Sequence, residues 1–153
     1  MAAGPDPFAG CHRFLCGHGP RWAGQQLQAA AQQLLPGTRA DFYGGGELIE
    51  SFEAELATLL GQEAAVFMPS GTMAQQIALR VWSDRAACKR IAMHATSHLQ
   101  VHEQGAYREL HGLEAELLGD SQRLFDMRDL EALSAPLSSI LWELPQREIG
   151  GQL

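Results

Sequence analysis

The stretch AAVFMPSGTMAQQIALRVW, residues 64–82, decides the predicted fold. Its first part, residues 64–69, is short, apolar and closed by a proline, which predicts a β-strand. The remainder, residues 70–82, predicts a helix, for which Ser70 or Thr72 supplies the N-cap. A strand that turns directly into a helix is the repeating unit of α/β proteins, so this stretch favours that fold class.

The same alternation continues toward the C-terminus. Short apolar segments predict strands, and the segments between them predict helices, with Asp126 near the start of the last helix. This pattern predicts an α/β fold in three layers, with a mostly parallel sheet and helices on both faces. The predicted elements are the strands RIAMH (90–94), LEAELLG (113–119) and SSILWEL (138–144), and helices in the first half of SHLQVHEQGAYREL (97–110) and in FDMRDLEALS (125–134).

Two further helices are predicted upstream of this alternation. RWAGQQLQAAAQQLL (21–35) is rich in good helix formers and is followed by a Pro-Gly pair that stops it. Three consecutive glycines make TRADFYGGG (38–46) a loop. ELIESFEAELATLL (47–60) is amphipathic, and Gly61 is its predicted C-cap.

The composition limits the classes of partner. The chain has 153 residues, with 18 acidic and 11 basic side chains and a formal net charge of -7. A nucleic-acid-binding surface needs clustered Lys and Arg, which this balance does not favour. The sequence has no apolar run long enough to span a bilayer, and its N-terminus lacks the apolar stretch of a signal peptide. We therefore expect a soluble, cytoplasmic protein with no nucleic-acid or membrane partner.

Cysteine and histidine residues crowd together near the N-terminus. Cys11, His12, Cys16 and His18 lie within one eight-residue segment. Zinc sites usually take their ligands from two separate pairs, so ordinary reduced thiols and loop histidines are the favoured interpretation and no metal is predicted. A small cysteine/histidine metal-binding protein is the alternative.

The turn at Ser70-Gly71-Thr72 is the first candidate for chemistry. A helix N-terminus presents unpaired N–H groups and a partial positive charge, so it attracts phosphate, and glycine lets an anion approach the backbone closely. The alternative is that Ser70 or Thr72 only caps the helix. His94, His98 and His102 follow at spacings of four, but His94 belongs to the predicted strand 90–94, which breaks the series on the helix.

Three ordered segments resemble one known family. They are YGGGELIESFEAELATLLGQEAAVFMPSGTMAQQIAL (43–79), SHLQVHEQGAY (97–107) and WELPQREIGGQL (142–153). Together they are similar to the corresponding parts of threonine aldolases and related β-eliminating lyases, which depend on pyridoxal 5'-phosphate (PLP). The resemblance covers about residues 41–153 and implies a division into an N-terminal segment, 1–40, and a partial PLP-binding domain, 41–153.

The resemblance implies a fold, an activity and residue roles. The fold would be the large domain of PLP enzymes of the aspartate-aminotransferase type, incomplete at its C-terminus. Ser70, Gly71 and Thr72 would hold the phosphate, His98 would stack on the pyridine ring, and Glu103 would line the substrate side as a catalytic candidate. The activity would be cleavage or elimination at the β-carbon of a small amino acid. Such enzymes are dimers or tetramers, and self-association is expected through the Tyr43-Gly44 loop.

The sequence also departs from the family pattern. The family's Asp-Asp pair is Gly45-Gly46, a tyrosine is replaced by His102, and the histidine proposed to assist cleavage falls on Gln146, which cannot act as a general base. Lys89 is the only lysine in the sequence, and its predicted place at the solvent end of a helix does not suit a Schiff base.

The family's Schiff-base lysine, and the aspartate that pairs with the pyridine nitrogen, are expected beyond residue 153. The chain is therefore predicted to be an inactive N-terminal fragment of a lyase. The alternative is a non-catalytic relative, or a truncated product, that binds PLP weakly or not at all.

Overall fold

The computed structural model describes residues 10, 11, 13, 14 and 21–153. These residues belong to two compact units, one ending at Phe67 and the other running from Met68 to Leu153. The division between residues 40 and 41 stays a prediction.

Helices and strands alternate through most of the described chain. Their order is α1 (Ala23–Gln33), α2 (Glu47–Leu60), α3 (Gly71–Ala86), β1 (Arg90–His94), α4 (His98–Val101), α5 (Ala106–His111), β2 (Glu114–Leu118), α6 (Met127–Glu131), β3 (Ser139–Leu141) and a 3₁₀ turn (Arg147–Ile149).

The first unit contains α1 and α2, and Gly61 caps the C-terminal end of α2. Gly61 adopts the left-handed conformation there, at φ 63° and ψ 31°, and its N–H donates to the carbonyls of Ala57 and Thr58. This is the C-cap that the sequence predicted, and the bounds of α2 match the predicted helix 47–60. The predicted glycine loop contains a tight turn, in which the N–H groups of Phe42 and Gly45 each donate to the other residue's carbonyl, at 2.8 and 3.0 Å.

The strand predicted over residues 64–69 is wrong. These residues pair with no strand in the part of the chain that the structure describes, and Val66 is 72% exposed. The N–H of Phe67 instead donates to Oε1 of Glu53 at 2.6 Å. An apolar run becomes a strand only where a neighbouring backbone completes the hydrogen-bond ladder, and these residues have no such neighbour.

The second unit is built on a parallel sheet in the order β2-β1-β3. Ile91 of the central strand lies between Ala115 of β2 and Ser139 of β3. The sequence prediction of a parallel sheet is confirmed, although β3 is shorter than the predicted strand 138–144. The helix predicted in the first half of 97–110 is confirmed as α4, and α5 is a second helix that was not predicted. Gln104 and Gly105, between the two helices, take positive φ values.

Helices cover both faces of this sheet, which confirms the three-layer prediction. Side chains of β1 alternate between the two faces, as the pleat requires. On one face Ile91 and Met93 pack with residues of α3, α4 and α5, and on the other face Ala92 packs with Leu118, Phe125 and the α6 region. Ile91, Ala92 and Met93 are completely buried, so β1 forms the centre of the unit.

Helix α6 begins directly after Asp126, which the sequence predicted to lie near its start, and Asp126 forms a capping box there. A carboxylate oxygen of Asp126 accepts from the N–H of Arg128 at 2.8 Å, and Asp129 accepts from the N–H of Asp126 at 2.8 Å. The guanidinium of Arg123 donates to both carboxylate oxygens of Asp129, each at 2.7 Å. This bidentate pair fixes the loop before α6 against its first turn.

The Arg123–Asp129 pair shifts the pKa of the Asp129 carboxyl group. The hydrogen bond from Arg123 lowers the pKa of Asp129 from 3.8 to about 2. Because this folded value lies below the unfolded one, the pair's contribution to stability is present above the unfolded pKa and is lost as the pH falls through about 2. We expect Arg123→Gln to return the midpoint of Asp129 toward 3.8 in a carboxyl-carbon NMR titration. Arg128→Gln on the same helix is the control, and a midpoint that responds equally to both changes would contradict the pairing.

Candidate active site

The N-terminus of α3 is an open surface with unpaired backbone donors. Ser70 is its N-cap in extended conformation, and its Oγ accepts from the N–H of Met73 at 3.1 Å. The N–H groups of Gly71 and Thr72 have no intrahelical acceptor, since they belong to the first turn. Ser70, Gly71 and Thr72 are exposed, and a Cβ placed on Gly71 meets no described atom within 4 Å. Local donors and the positive end of the helix dipole therefore face open space.

The loop after β1 supplies the second part of the site. Ser97 is buried, and its Oγ donates to Oε1 of Glu143 at 3.0 Å. The N–H of His98 donates to the same oxygen at 2.5 Å. Glu143 follows β3, so one carboxylate ties together the segments that leave the carboxyl ends of two neighbouring parallel strands. This edge of a parallel sheet is where α/β proteins bind ligands.

Glu103 joins the N-terminal turns of α3 to His98. Its side chain is only 4% exposed, and its Oε1 lies 3.2 Å from Nδ1 of His98. It accepts hydrogen bonds from Oγ1 of Thr72 at 2.7 Å, from Nε2 of Gln75 at 3.1 Å and from Nε2 of Gln76 at 2.9 Å. A buried carboxylate needs such donors to offset its lost hydration. The predicted site residues Thr72, His98 and Glu103 are thus brought into one cluster.

An open cavity of about 630 Å³ lies beside this cluster. Thr72, His98, His102 and Glu103 are among the residues that line it. The imidazole of His98 is 41% exposed, so the ring presents a surface to this side. The cavity therefore combines an exposed ring with the first turn of α3.

His102 lies beside His98 and is held by a carboxylate from the 3₁₀ turn. The ring centres of the two histidines are 5.0 Å apart, and Nε2 of His102 lies 3.0 Å from Oε1 of Glu148. The hydrogen bond with His102 lowers the pKa of Glu148 below its usual value. His102 is also one of the residues that line the cavity.

The other residues that the sequence singled out lie away from the cavity. His94 is buried on β1, with Nδ1 3.0 Å from Oγ1 of Thr96 and Nε2 2.9 Å from the carbonyl oxygen of Arg123, so the predicted break in the histidine series is confirmed. Gln146 is also buried, and its Nε2 donates to the carbonyl and the hydroxyl of Thr96. The side chain at 146 therefore has a structural partner.

Lys89 lies at the opposite end of β1 from His98. The strand has five residues, which correspond to about 16 Å of extended chain. Nζ of Lys89 donates to the carbonyl of His111 at 3.2 Å. The sequence prediction that this lysine sits at the solvent end of a helix agrees with its exposed position after α3.

Sequence reasoning missed three residues that organise the site: Glu143, Gln75 and Gln76. The place of Glu143 near the carboxyl end of the predicted strand 138–144 was an available signal, since ligand-binding edges collect polar residues there. Gln75 and Gln76 gave no signal, because their partner Glu103 is 28 and 27 residues away along the chain.

Neither a metal-binding cluster nor a membrane-spanning helix is found in the residues that the structure describes. There, His, Cys, Asp and Glu side chains form no group of three or more that fits a metal ion. Cys11 is exposed, while His12, Cys16 and His18 lie outside the described residues. No helix in the described part has the length and apolar character needed to cross a bilayer.

Comparisons with known proteins agree on one family. The profile of the family described as "Beta-eliminating lyase" matches residues 24–147. A solved structure from Listeria monocytogenes EGD-E, provisionally assigned as an L-allo-threonine aldolase, is 50% identical, with a TM-score of 0.82 over 90% of this chain and 38% of that chain. A second, from Exiguobacterium sp. 255-15, provisionally assigned as an aromatic amino acid beta-eliminating lyase/threonine aldolase, is 45% identical, with a TM-score of 0.81 over the same shares.

A plant protein is similar over a shorter stretch. Low-specificity L-threonine aldolase 1 from Arabidopsis thaliana is 29% identical over 97 residues, which make up 63% of this chain and 26% of that protein. The chain thus spans about a quarter of the length of this relative and 38% of each of the two solved chains.

Proposed function

Because this chain belongs to the beta-eliminating lyase family, we propose that it supplies the phosphate- and ring-binding part of a PLP-dependent amino-acid lyase of the threonine-aldolase kind. The lyase would cleave or eliminate at the β-carbon of a small amino acid. The observation that supports this proposal is the contact of Glu103 with both Thr72 and His98, which brings the first turn of α3 beside an exposed ring.

The residues of α3 fit the phosphate of PLP. Ser70 Oγ uses a lone pair to accept from Met73, so its hydroxyl hydrogen is free to donate to a phosphate oxygen. The first-turn N–H groups of Gly71 and Thr72 add two donors, and the open surface at Gly71 admits the anion. The helix dipole of α3, which has 16 residues, adds a favourable potential for the negative charge.

The residues after β1 fit the ring. The imidazole of His98 is partly exposed and is held by its neighbours: Glu143 fixes its backbone N–H, and Glu103 lies beside its Nδ1. A ring fixed in this way offers an aromatic surface on which a pyridine ring can stack. The side chain of Glu103 is mostly buried, and its exposed part lines the cavity. A substrate would therefore contact Glu103 from the cavity.

When bound, PLP supplies an electron sink for bonds at the α-carbon of an amino acid. The residues of this chain would bind its phosphate, orient its ring and set the charge around it. Lys89 does not fit the covalent attachment, since it lies at the other end of β1. We therefore infer that this attachment comes from a residue outside these 153.

The turn at Phe42 and Tyr43 supports the proposal of self-association. Tyr43 is 95% exposed and Phe42 is 76% exposed, and the two rings contact each other edge-on with centres 4.4 Å apart. Two adjacent exposed aromatic side chains are enriched at protein interfaces. We propose a homo-oligomer in which this turn contacts another copy of the chain.

Titration with PLP tests the proposed function. We expect the full chain to bind PLP, detected by a change in the absorbance of the cofactor, and inorganic phosphate to compete with it. Ser70→Ala removes one hydrogen bond to a charged group, so we expect it to weaken binding on the order of tenfold. Ser121→Ala, which changes an exposed serine away from α3, is the matched control and should leave the affinity unchanged.

Failure to bind would favour the second candidate, a non-catalytic relative that does not hold PLP. Gln146 is the observation that favours this candidate, because its amide is buried and bound to Thr96. A side chain held in this way offers no group that can accept a proton during catalysis. Equal losses of affinity in Ser70→Ala and Ser121→Ala would also contradict the assignment of the phosphate site to α3.

A further inference from the structure

The hydroxyl of Thr72 has already used its only hydrogen. A threonine hydroxyl has one donor hydrogen and two acceptor lone pairs. In this structure Oγ1 of Thr72 donates that hydrogen to Oε1 of Glu103 at 2.7 Å. Deprotonated phosphate oxygens accept hydrogen bonds and cannot donate, so this hydroxyl has nothing to offer a bound phosphate while it is paired with Glu103.

We propose that Thr72 is a positioning residue for Glu103 and His98, and that its side chain does not bind the phosphate. Together with Gln75 and Gln76, the hydroxyl of Thr72 holds the carboxylate of Glu103 against Nδ1 of His98, and so fixes the orientation and tautomer of the ring. Ser70 then supplies the only side-chain donor of the turn to a phosphate. The phosphate part of this inference rests on the proposed function, and the part that concerns His98 does not.

The spacing of the three donors supports this role. Thr72, Gln75 and Gln76 are separated by three and four positions, so they lie on one face of α3. All three donate to the same carboxylate, at 2.7, 3.1 and 2.9 Å. The carboxylate of Glu103 is thus surrounded on the α3 side, and its remaining close partner is the imidazole of His98.

Because Glu103 is buried, its carboxylate depends on the protein donors that surround it. Its side chain is 4% exposed, so loss of one donor is not replaced readily by water. With Oε1 3.2 Å from Nδ1 of His98, a neutral imidazole is favoured with its hydrogen on Nδ1, since a bare ring nitrogen would face the carboxylate. The state of the His98 ring therefore reports whether Glu103 is held in place.

NMR spectra of the histidine ring nitrogens test the proposal on the full chain. We would record ¹⁵N spectra at alkaline pH, since the two neutral tautomers of imidazole give distinct Nδ1 and Nε2 signals. Wild-type His98 is expected to show the tautomer with hydrogen on Nδ1. Thr72→Val keeps the shape but loses the hydroxyl, and is expected to shift the His98 signals toward a mixture of tautomers. Thr72→Ser, which keeps the hydroxyl, should restore the wild-type spectrum.

Glu103→Gln is a second variant that removes the charge without using Thr72. It is expected to change the His98 signals at least as much as Thr72→Val does. The far-ultraviolet circular dichroism of each variant checks that α3 remains folded. Unchanged His98 signals in folded Thr72→Val and Glu103→Gln would overturn the proposal.

Affinity for PLP separates the two parts of the inference. Thr72→Val should weaken PLP binding less than Ser70→Ala, which is expected to lose on the order of tenfold. Because His98 would stack on PLP, inorganic phosphate is the probe for the side chain itself. Equal or larger loss of phosphate affinity in Thr72→Val than in Ser70→Ala would overturn the statement that its side chain does not bind phosphate. If the wild-type chain binds no PLP, the proposed function fails, while the His98 spectra still decide the role of Thr72.

Discussion

Replacing Gly119 by alanine is expected to lower the free energy of unfolding by about 3 kcal/mol. Gly119 follows β2 with a φ of 70°, in the left-handed region that favours glycine. A Cβ there would lie 2.7 Å from two atoms of the His94 ring and 2.9 Å from the carbonyl oxygen of Arg123. His94 is buried and hydrogen-bonded at both ring nitrogens, so the ring cannot move away without breaking those bonds.

Gly112→Ala is the control that separates backbone strain from collision. Gly112 has a φ of 61°, close to that of Gly119, but the nearest atom to its added Cβ is Nζ of Lys89, at 3.7 Å and at the end of a flexible side chain. We expect this control to cost about 1 kcal/mol, the strain alone. Urea unfolding of both variants measures the difference. If Gly119→Ala costs no more than Gly112→Ala, the packing of His94 against Gly119 is not as tight as described.

Local signals explain why much of the fold was predictable from the sequence. Helix α2 carries its apolar side chains at helical spacing, and a glycine in left-handed conformation ends it where predicted. The strands β1 and β2 were predicted as short apolar segments between helices, and Asp126 was predicted to lie near the start of the last helix, where it is the N-cap. Each of these features depends on residues within a few positions of one another.

The prediction over 64–69 failed because pairing is not a local property. These residues are as apolar as those of β1, yet β1 has a partner on each side and they have none in the described chain. The sequence cannot supply this information, since the partner of a strand lies at an arbitrary distance along the chain. Apolar character alone therefore overpredicts strands.

The candidate site likewise has one feature that the local sequence predicts and others that depend on contacts between distant residues. Ser70 or Thr72 was predicted as the helix cap from the local sequence, and Ser70 is the one that caps, since its Oγ accepts from the N–H of Met73. Glu103 was reached only through the family resemblance, because its contact with Thr72 joins residues 31 positions apart. The hydrogen bond from the Thr72 hydroxyl to that carboxylate is a tertiary contact, so the sequence of the Ser-Gly-Thr turn alone does not predict it. The roles of Ser70, Gly71, Thr72, His98 and Glu103 toward PLP stay predictions.

Leu99→Ala is expected to lower the free energy of unfolding by about 3 kcal/mol and to disturb His98 at the same time. Helix α4 has only four residues, too few to be stable by themselves, so its position depends on its anchors. Leu99 is completely buried in the cluster that contains Leu79, Ile91, Met93 and Tyr107, and it is the neighbour of His98. Truncating this side chain removes apolar burial and leaves a cavity beneath the helix that carries the ring.

The matched control for this substitution is Leu110→Ala. Leu110 lies on α5 and is 71% exposed, so its truncation should change stability by no more than about 0.5 kcal/mol. The ¹⁵N signals of His98 should shift in Leu99→Ala and remain in place in Leu110→Ala. Equal stability of the two variants would show that the core does not anchor α4. A destabilised Leu99→Ala with unchanged His98 signals would show instead that Glu143 and Glu103 hold the ring without help from the core, since these two carboxylates contact the backbone N–H and Nδ1 of His98.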